Sequence, residues 1–258
     1  MLQGVHATED IAVIALDGNR FVGARHCHPE AQLLYAVQGV ISITTDVGTW
    51  VVPPHHAVWI PPHLMHETSS PADVQFRSLL IDPGAIVSLP NECLVVEITP
   101  LLRELILKLA ILAEKPESRD RTDAVVRLLL QELSFQSAQP LSLPTPAHPE
   151  LASLCARIRM DLTNAISVDS AANILHMSRA TFMRLFKRET GMGFAHWQQQ
   201  ARMLAALVLL AEGRSVLNVA FECGYNSPSA FSAMFRRTLG TTPSAYFAAN
   251  RKGENASR

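Results

Sequence analysis

The first third of the chain alternates short apolar-rich runs with turn residues. The runs lie at 33–37, 40–44, 50–52, 57–60 and 74–81, and glycine, proline or aspartate follows each within two residues. Strands of this length with regular turn signals are typical of an all-β sandwich or barrel. Residues 1–90 are therefore predicted to form one all-β domain, either a sandwich or a barrel.

The hydrophobic pattern then changes to a helical period. Thr99 can cap a helix that begins at Pro100, and leucine and isoleucine recur on one face as far as Leu112. A second apolar stripe predicts a helix from about Asp123 to Phe135. These stripes either pack on the β-domain or form a homodimer seam, and the pattern leaves both readings open. We expect residues 91–136 to be a helical dimerisation region.

Residues 137–149 contain four prolines and no Asp, Glu, Lys or Arg. Proline at this density cannot continue a helix and stiffens the chain, so the segment is predicted to be a linker between two domains. Residues 150–249 are predicted to be wholly helical, and residues 250–258 to be a disordered tail.

Composition narrows the class of protein. Because 48% of the residues are apolar, sizeable cores can be buried and general disorder is excluded. No secretory signal and no apolar run long enough for a bilayer is recognised, so a soluble, cytoplasmic protein without membrane contact is expected. The cysteines form no CxxC pair and are expected to be free, mostly buried thiols. They are Cys27, Cys93, Cys155 and Cys223.

The charge is unevenly distributed along the chain. Residues 1–146 carry 9 Lys/Arg and 16 Asp/Glu, whereas residues 147–258 carry 13 Lys/Arg and 7 Asp/Glu. An acidic half joined to a basic half indicates that the second half meets a polyanion, with chance segregation of surface charge as the alternative.

The basic half repeats itself, first at an offset of 48 residues and then of 49, with Asn226 as the inserted position. Ser178, Phe182, Phe186, Lys187 and Gly191 recur as Ser227, Phe231, Phe235, Arg236 and Gly240. A match of this many residue types at a fixed offset indicates a structural repeat. Each copy predicts a helix, a turn and a helix, at about 167–188 and 215–237, with serines as N-caps.

The second helix of each copy has an inner phenylalanine face and an outer face of small and basic residues. Such a helix fits the DNA major groove, and Lys or Arg at its C-terminal end meets phosphates. The phosphate contacts are assigned to Ser178, Lys187, Arg188, Ser227, Arg236 and Arg237. A long apolar helix from Trp197 to Leu210 can hold the units about one DNA turn (~34 Å) apart. The alternative is a helical repeat without a DNA role.

These residues resemble a known family. The motif Ser178-x3-Phe182-x-Arg184-x-Phe186-Lys187-Arg188-x2-Gly191, followed by Gly224-Tyr225-x-Ser227-x3-Phe231-x3-Phe235, resembles the AraC/XylS transcriptional regulators, and the match covers residues 150–248. The resemblance implies two adjacent major grooves as the DNA site and control through RNA polymerase. It assigns base reading to Arg179, Ala180, Met183, Arg184, Pro228, Ser229 and Ala233. Residues 228–233 offer few long polar side chains, and Phe247 stands where the family often has Arg, which removes one phosphate contact.

Six of the ten histidines lie between residues 26 and 66. On a strand His26 and His28 point the same way, so both can approach one metal ion, with a later histidine closing the site. The region resembles the cupin barrel of AraC-type sensing domains, which places His26, His28, Gln32 and His66 at or near metal-ligand positions. Gln32 stands where metal-binding cupins usually have glutamate, and its neutral amide is a weaker metal ligand than a carboxylate. A divalent metal, an organic-effector pocket and purely structural histidines remain alternatives.

Together these patterns predict an α+β multidomain chain: a cupin-like β-barrel with dimerisation helices, then an all-α domain with two helix-turn-helix units. The expected function is sequence-specific transcriptional regulation by a homodimer, modulated by a small-molecule effector in the barrel, with no enzymatic activity. The resemblance suggests efflux or catabolic target genes. The alternative is a cupin-type metalloenzyme with a helical accessory domain, which the absent glutamate and the specific repeat disfavour.

Overall fold

The computed structural model describes residues 5–86, 89–135 and 141–251, with side chains as far as residue 247. Two compact units divide the chain. The first comprises the chain to Thr45 together with Val52–Ala138, and the second comprises Asp46–Val51 together with the chain from Gln139. The short segment 46–51 therefore belongs to the same unit as the C-terminal helices.

The strands and helices are as follows in chain order. The strands are β1 (Val5–His6), β2 (Ile11–Gly18), β3 (Phe21–Val22), β4 (Ala31–Gln38), β5 (Ile41–Thr45), β6 (Gly48–Val52), β7 (His56–Ile60), β8 (His66–Ser70), β9 (Val74–Ile81), β10 (Leu94–Glu97) and β11 (Ser142–Pro144). The helices are α1 (Pro100–Glu114), α2 (Arg119–Glu132), α3 (Pro149–Met160), α4 (Val168–Ile174), α5 (Arg179–Thr190), α6 (Phe194–Ala211), α7 (Val216–Glu222), α8 (Pro228–Leu239) and α9 (Pro243–Arg251).

The first unit is built on an antiparallel six-stranded sheet with the order β1-β2-β9-β4-β7-β10. Its central strand, β4, is buried from Ala31 to Ala36, so this strand carries a continuous apolar run instead of an alternating one. Strands β5 and β3 both pair with β8, on its two sides. The predicted β-domain is thus confirmed, and β9 has the predicted bounds.

Helix α1 packs its apolar stripe on this sheet. Ile106 and Leu109 are fully buried in one core with Leu33, Trp59 and Leu79. The backbone N–H of Leu102 donates to Oγ1 of Thr99 at 3.2 Å, which confirms the predicted cap. The stripe therefore packs on the β-domain, which was one of the two readings. The large apolar side chains left exposed on α1 and α2 are Leu101, Ile111 and Leu128.

Two predicted boundaries in this region were wrong. Helix α2 begins at Arg119 and ends at Glu132, instead of running from 123 to 135, because Ser118 already starts the helical turn and the polar first turn hid it from an apolar pattern. The run Leu94–Glu97 is a strand that pairs with β7, so helices occupy the region from 91 onward only from Pro100.

The second unit contains helices α3–α9 and one short strand pair. Ser142–Pro144, inside the range predicted as a linker, pairs antiparallel with Gly48–Trp50. The backbone N–H of Val51 donates to the carbonyl of Leu141 at 3.0 Å, and that of Thr145 donates to the carbonyl of Val47 at 3.0 Å. Proline is tolerated because β11 is an edge strand, with one side free of main-chain ladder bonds. Helix α9 continues to Arg251, so the predicted disordered tail does not begin at residue 250, and its remaining part, 252–258, lies outside the described residues.

No helix within residues 5–86, 89–135 and 141–251 is both long enough and apolar enough to cross a membrane.

Candidate nucleic-acid interface and histidine cluster

The first helix-turn-helix unit consists of α4 and α5, and serine caps define both helices. Oγ of Ser167 accepts from the backbone N–H of Ser170 at 3.0 Å, and Oγ of Ser178 accepts from that of Thr181 at 3.2 Å. The turn between them places His176 at a left-handed φ of 51°. Both predicted caps and the predicted turn are present, because a serine ahead of a helix satisfies its free N–H groups.

The second helix-turn-helix unit, α7 and α8, repeats this arrangement. Ser215 and Ser227 cap the two helices through their Oγ atoms, each at 3.2 Å. Gly224 takes the turn position that His176 holds in the first unit, with φ of 74°. A Cβ added to Gly224 would lie 2.4 Å from the carbonyl oxygen of Leu162, so the chain approaches this turn too closely for any other residue.

Buried phenylalanines hold both recognition helices by their inner faces. Phe182 and Phe186 are fully buried, and each packs edge-to-face on Phe194 with ring centroids 5.0 Å apart. In the second helix-turn-helix unit Phe231 and Phe235 are fully buried, with ring centroids 5.8 Å apart. The predicted inner faces are thus confirmed, and the opposite faces of α5 and α8 are left to solvent.

The outer face of α5 carries the side chains that the sequence singled out for DNA. Arg179, Ala180, Met183, Arg184, Lys187 and Arg188 are all exposed, as is their cap Ser178. Arg179 forms an ion pair with Asp169 of α4 at 2.7 Å, and Arg188 pairs with Glu189 at 3.3 Å. Asp169 is a partner that the repeat pattern did not reveal, because it lies ten residues before Arg179 on another helix.

The outer face of α8 is smaller and less polar. Ser229, Ala233, Arg236 and Arg237 are exposed, whereas Ser227 and Pro228 are half-buried. Between Ser227 and the two arginines the outer face of α8 offers only short side chains, as the sequence indicated. Its positive charge lies at the C-terminal end, where arginines also interact favourably with the helix dipole.

Helix α6 connects the two helix-turn-helix units. Its 18 residues span about 27 Å at 1.5 Å per residue. The buried amide of Gln198 makes two hydrogen bonds to the residue before the first cap: it accepts from the N–H of Ile166 at 3.1 Å and donates to its carbonyl at 2.9 Å. Nε of Arg202 donates to the carbonyl of Leu162 at 3.2 Å, the same oxygen that faces Gly224. These bonds attach the segment before the first helix-turn-helix unit to α6, and α6 also packs against α5 of the first unit and α7 of the second.

The opposite side of α6 contacts the short strand β11. Nε1 of the buried Trp197 donates to the carbonyl of Pro144 at 2.9 Å, and Nε2 of Gln200 donates to the carbonyl of Ser142 at 3.4 Å. No sequence pattern predicts this attachment, since the acceptors are main-chain atoms in a proline-rich stretch.

The histidine cluster lies in the first unit, where two segments meet. His26 and His66 form an isolated antiparallel bridge, with both backbone N···O distances at 2.9 Å. One ring nitrogen from each of His26, His28 and His66 lies within 4.8 Å of the others. The structure therefore brings together the three predicted histidines. His66 is fully buried, and His26 and His28 are half-buried.

All three imidazoles are oriented in the same way. Nδ1 of His26 lies 2.8 Å from the carbonyl of Ala24, Nδ1 of His28 lies 2.9 Å from that of Glu30, and Nδ1 of His66 lies 2.9 Å from that of Leu64. A carbonyl only accepts, so Nδ1 carries the proton in each neutral ring and Nε2 keeps a free lone pair. Burial lowers the pKa of His66 to about 4, so this ring is neutral at neutral pH.

Gln32, the fourth predicted residue, is buried beside the cluster on β4. Its Nε2 donates to Oγ of Ser78 at 2.7 Å, which turns Oε1 toward the histidines. Oε1 lies 3.3 Å from Nε2 of His28. Ser78 was missed by sequence reasoning because it lies 46 positions along the chain, on the neighbouring strand β9.

The four cysteines are free, and three of them are buried, as predicted. Burial raises the pKa of the thiols of Cys93, Cys155 and Cys223 to about 12, so these thiols stay protonated and unreactive. Cys27 is exposed and lies between His26 and His28 along the chain.

A groove of about 660 Å³ lies elsewhere in the first unit. Ile86, Val126 and Leu130 form its apolar part, and Arg119 and Arg127 are among its charged residues. Its lining comes from separate segments near residues 9, 86 and 119–131, so no local sequence pattern reveals it.

Two sequence models of protein families match the chain. The one described as "AraC-like ligand binding domain" matches residues 10–138, and the one described as "Helix-turn-helix domain" matches residues 171–249.

Individual proteins are also similar to the chain. The chain is 35% identical to the HTH-type transcriptional regulator NimR of Escherichia coli (strain K12) over 223 residues, which are 86% of this chain and 81% of that one. It is 30% identical to the thermoregulatory protein LcrF of Yersinia pestis over 176 residues, 66% of this chain and 65% of LcrF. A crystal structure of the DNA-binding domain of AdpA with a target DNA is 39% identical, covering 39% of this chain and 92% of that domain, with a TM-score of 0.37.

Proposed function

Since the chain belongs to the AraC/XylS family of transcriptional regulators, we propose that α5 and α8 enter two adjacent major grooves of one DNA duplex. The chain is a DNA-binding transcriptional regulator with an N-terminal ligand-binding domain. The observation that supports the two-groove arrangement is the pair of exposed helix faces, each backed by two buried phenylalanines and both attached through α6. A recognition helix in a major groove needs such a free outer face and a rigid support.

Within this arrangement the two helices contribute unequally. We assign base contacts on α5 to Arg179, Ala180, Met183 and Arg184, because these side chains are exposed near its N-terminal end. On α8 the assigned residues are Pro228, Ser229 and Ala233. Since these have no long polar group, α8 contributes mainly main-chain and apolar contacts, and base discrimination rests on α5. The assigned phosphate contacts are Ser178, Lys187, Arg188, Ser227, Arg236 and Arg237.

Replacing Arg184 by alanine is expected to weaken specific DNA binding by about 1–3 kcal/mol and to relax base preference at one position, because a bidentate arginine–guanine contact is lost. Gel-shift titrations measure both effects, on a genomic DNA site that the chain retains and on single-base variants of that site. Unchanged affinity and preference would show that α5 does not read bases through this residue.

Lys187→Ala provides the matched comparison on the same helix. Removing a phosphate contact should weaken binding to all sequences alike and lower the slope of log K against log [salt] by about 1. A change in base preference for Lys187→Ala, or an altered salt slope with unchanged preference for Arg184→Ala, would contradict the division of roles.

The DNA site itself comes from one direct experiment. The purified full chain is mixed with fragments of the genome that encodes it, and the retained fragments are sequenced. We expect a shared motif with two half-sites about one helical turn (~10 base pairs) apart. The flanking genes then show whether the targets encode efflux or catabolic proteins. Absence of any retained fragment at low salt would overturn the proposal.

Regulation is proposed to involve three further partners. A small-molecule effector in the first unit shifts the population of DNA-competent chains, and RNA polymerase is the downstream contact. The proposed homodimer seam lies on α1 and α2, where Leu101, Ile111 and Leu128 are exposed. The histidine cluster is assigned a ligand-binding role and no catalytic one, and the protein acts in the cytoplasm with the DNA that it controls.

A further inference from the structure

We propose that Asp169 determines specificity by holding Arg179 in position to contact a guanine base and by keeping this arginine away from the phosphates. Asp169 makes no base contact of its own, so it is a positioning residue. The inference rests on the assignment of Arg179 to base reading under the proposed function, and it adds a residue of another helix to the recognition surface.

The contact between the two side chains crosses the first helix-turn-helix unit. Arg179 is the first residue of α5, and Asp169 is the second residue of α4. Nη1 of Arg179 donates to Oδ2 of Asp169 at 2.7 Å, which is a short charge-assisted hydrogen bond. The side chains are 57% exposed for Arg179 and 64% exposed for Asp169. The pair is therefore open to a DNA duplex that approaches the N-terminal end of α5.

The ion pair matters for the orientation of the arginine more than for folding. A pair this exposed adds little to stability, because water screens its charges. A free arginine side chain has many rotamers and loses this freedom when it binds a ligand, whereas an arginine already held by a carboxylate loses less. Such support fixes the geometry of a binding residue before the ligand arrives.

The donors that Asp169 leaves free match one base. A guanidinium donates from each of its nitrogens, and Nε and Nη2 of Arg179 have no partner among the residues that the structure describes. These two nitrogens can donate to O6 and N7 of guanine, the commonest specific contact in the major groove. The carboxylate also repels phosphate groups, which disfavours the alternative in which Arg179 binds the DNA backbone.

The sequence repeat provides an internal comparison for this pair. At the offsets of 48 and 49 residues, Asp169 corresponds to Leu217 and Arg179 corresponds to Pro228, so these positions hold no ion pair in the second helix-turn-helix unit. Arg184, which is also exposed on α5, forms no ion pair within the described part of the chain. The support thus applies to one arginine of one unit, in agreement with base discrimination by α5.

The base preference of the full chain tests the proposal. The wild type, Asp169→Ala and Arg179→Ala each select bound molecules from duplexes randomised over about 20 base pairs, the length of two adjacent major-groove sites, and the bound duplexes are sequenced. Arg179→Ala should lose the preference for guanine at one position. Asp169→Ala should reduce the same preference by about fivefold or more and leave the other positions unchanged, because the arginine is no longer held.

Binding to a duplex without the selected motif gives a second readout. Asp169→Ala should bind this duplex more tightly, with a slope of log K against log [salt] that is steeper by about 1, since the released Arg179 then reaches a phosphate. A residue that only supports α4 would change neither this slope nor the preference at a single position. Asp169→Asn keeps the size and an acceptor but removes the charge, so it should also steepen the slope. A wild-type slope in both variants would refute the exclusion of phosphates.

Glu150→Ala is the matched control. Glu150 is also an exposed acidic residue in the first turn of a helix of the second compact unit, α3, and has no partner among the described residues. Its removal changes the net charge and the helix terminus in the same way as Asp169→Ala. This variant should match the wild type in base preference and in salt slope, and equal changes in the two variants would mean that Asp169 acts only through net charge.

A double variant separates this inference from the assignment on which it rests. In a chain that already carries Arg179→Ala, Asp169→Ala should change the base preference no further, and an undiminished effect would show that Asp169 acts without Arg179. If Arg179→Ala relaxes the preference but Asp169→Ala leaves it unchanged, the positioning role is refuted and base reading by Arg179 stands. If Arg179→Ala has no effect, both the assignment and the inference are wrong.

Discussion

Gly224→Ala is expected to destabilise the second helix-turn-helix unit by at least about 3 kcal/mol and to abolish specific DNA binding. Two effects add at this position. The backbone has φ of 74°, which alanine rarely adopts, and the new Cβ would lie 2.4 Å from the carbonyl of Leu162. That oxygen accepts from Nε of Arg202, so moving it away breaks the bond that attaches the loop to α6. Urea denaturation followed by circular dichroism measures the stability.

Gly240→Ala is the matched control for this prediction. Gly240 ends α8 at nearly the same φ of 75°, but nothing lies within 4 Å of the Cβ that alanine would add. The variant should therefore lose only the conformational part, about 1 kcal/mol, and keep its DNA affinity. Equal losses for the two variants would mean that the contact with Leu162 contributes nothing, and that backbone conformation alone determines the cost.

The second large effect is expected at Trp197. Trp197→Ala removes a buried ring that packs on Phe186 and should cost about 3–5 kcal/mol. It also removes the N–H that donates to the carbonyl of Pro144, so β11 should separate from α6. Amide hydrogen exchange at Val51 and Thr145 reports this separation, because both N–H groups bond across the β6–β11 pair.

Trp197→Phe distinguishes packing from attachment. Phenylalanine keeps most of the apolar volume but cannot donate, which leaves the Pro144 carbonyl unpaired at a cost of about 1–2 kcal/mol. Exchange at Val51 and Thr145 should then be about 5–30-fold faster, the factor that corresponds to this free energy. If exchange at the two amides stays at the wild-type rate in both variants, Trp197 acts only as a core residue and does not hold β11.

If Trp197 does hold β11, it also holds the segment of β6 that pairs with β11. Residues 46–51 fall within the range that matches the ligand-binding family, yet they belong to the compact unit of the DNA-binding helices. A variant that loosens β11 from α6 is therefore a probe of whether the two activities depend on each other.

Local patterns were sufficient for most of the fold. Each helix of the repeat follows a serine whose side chain can satisfy free N–H groups only in its immediate neighbourhood, and the phenylalanines at a spacing of four residues define one inner face. The same holds for Thr99 and Pro100 at the start of α1. The start of α2 was misplaced because its first turn, Arg119–Thr122, is mostly polar and carries no apolar stripe.

The sequence by itself determined the two-domain class, the repeated helix-turn-helix units and the candidate histidines, since caps, periodicity and residue types are properties of neighbouring positions. Only the tertiary structure decided which atoms face each other. It paired Ser78 with Gln32, Leu162 with both Arg202 and Gly224, and Trp197 with Pro144. These partners are separated by tens of residues and several are main-chain carbonyls, which carry no residue-specific signal along the chain.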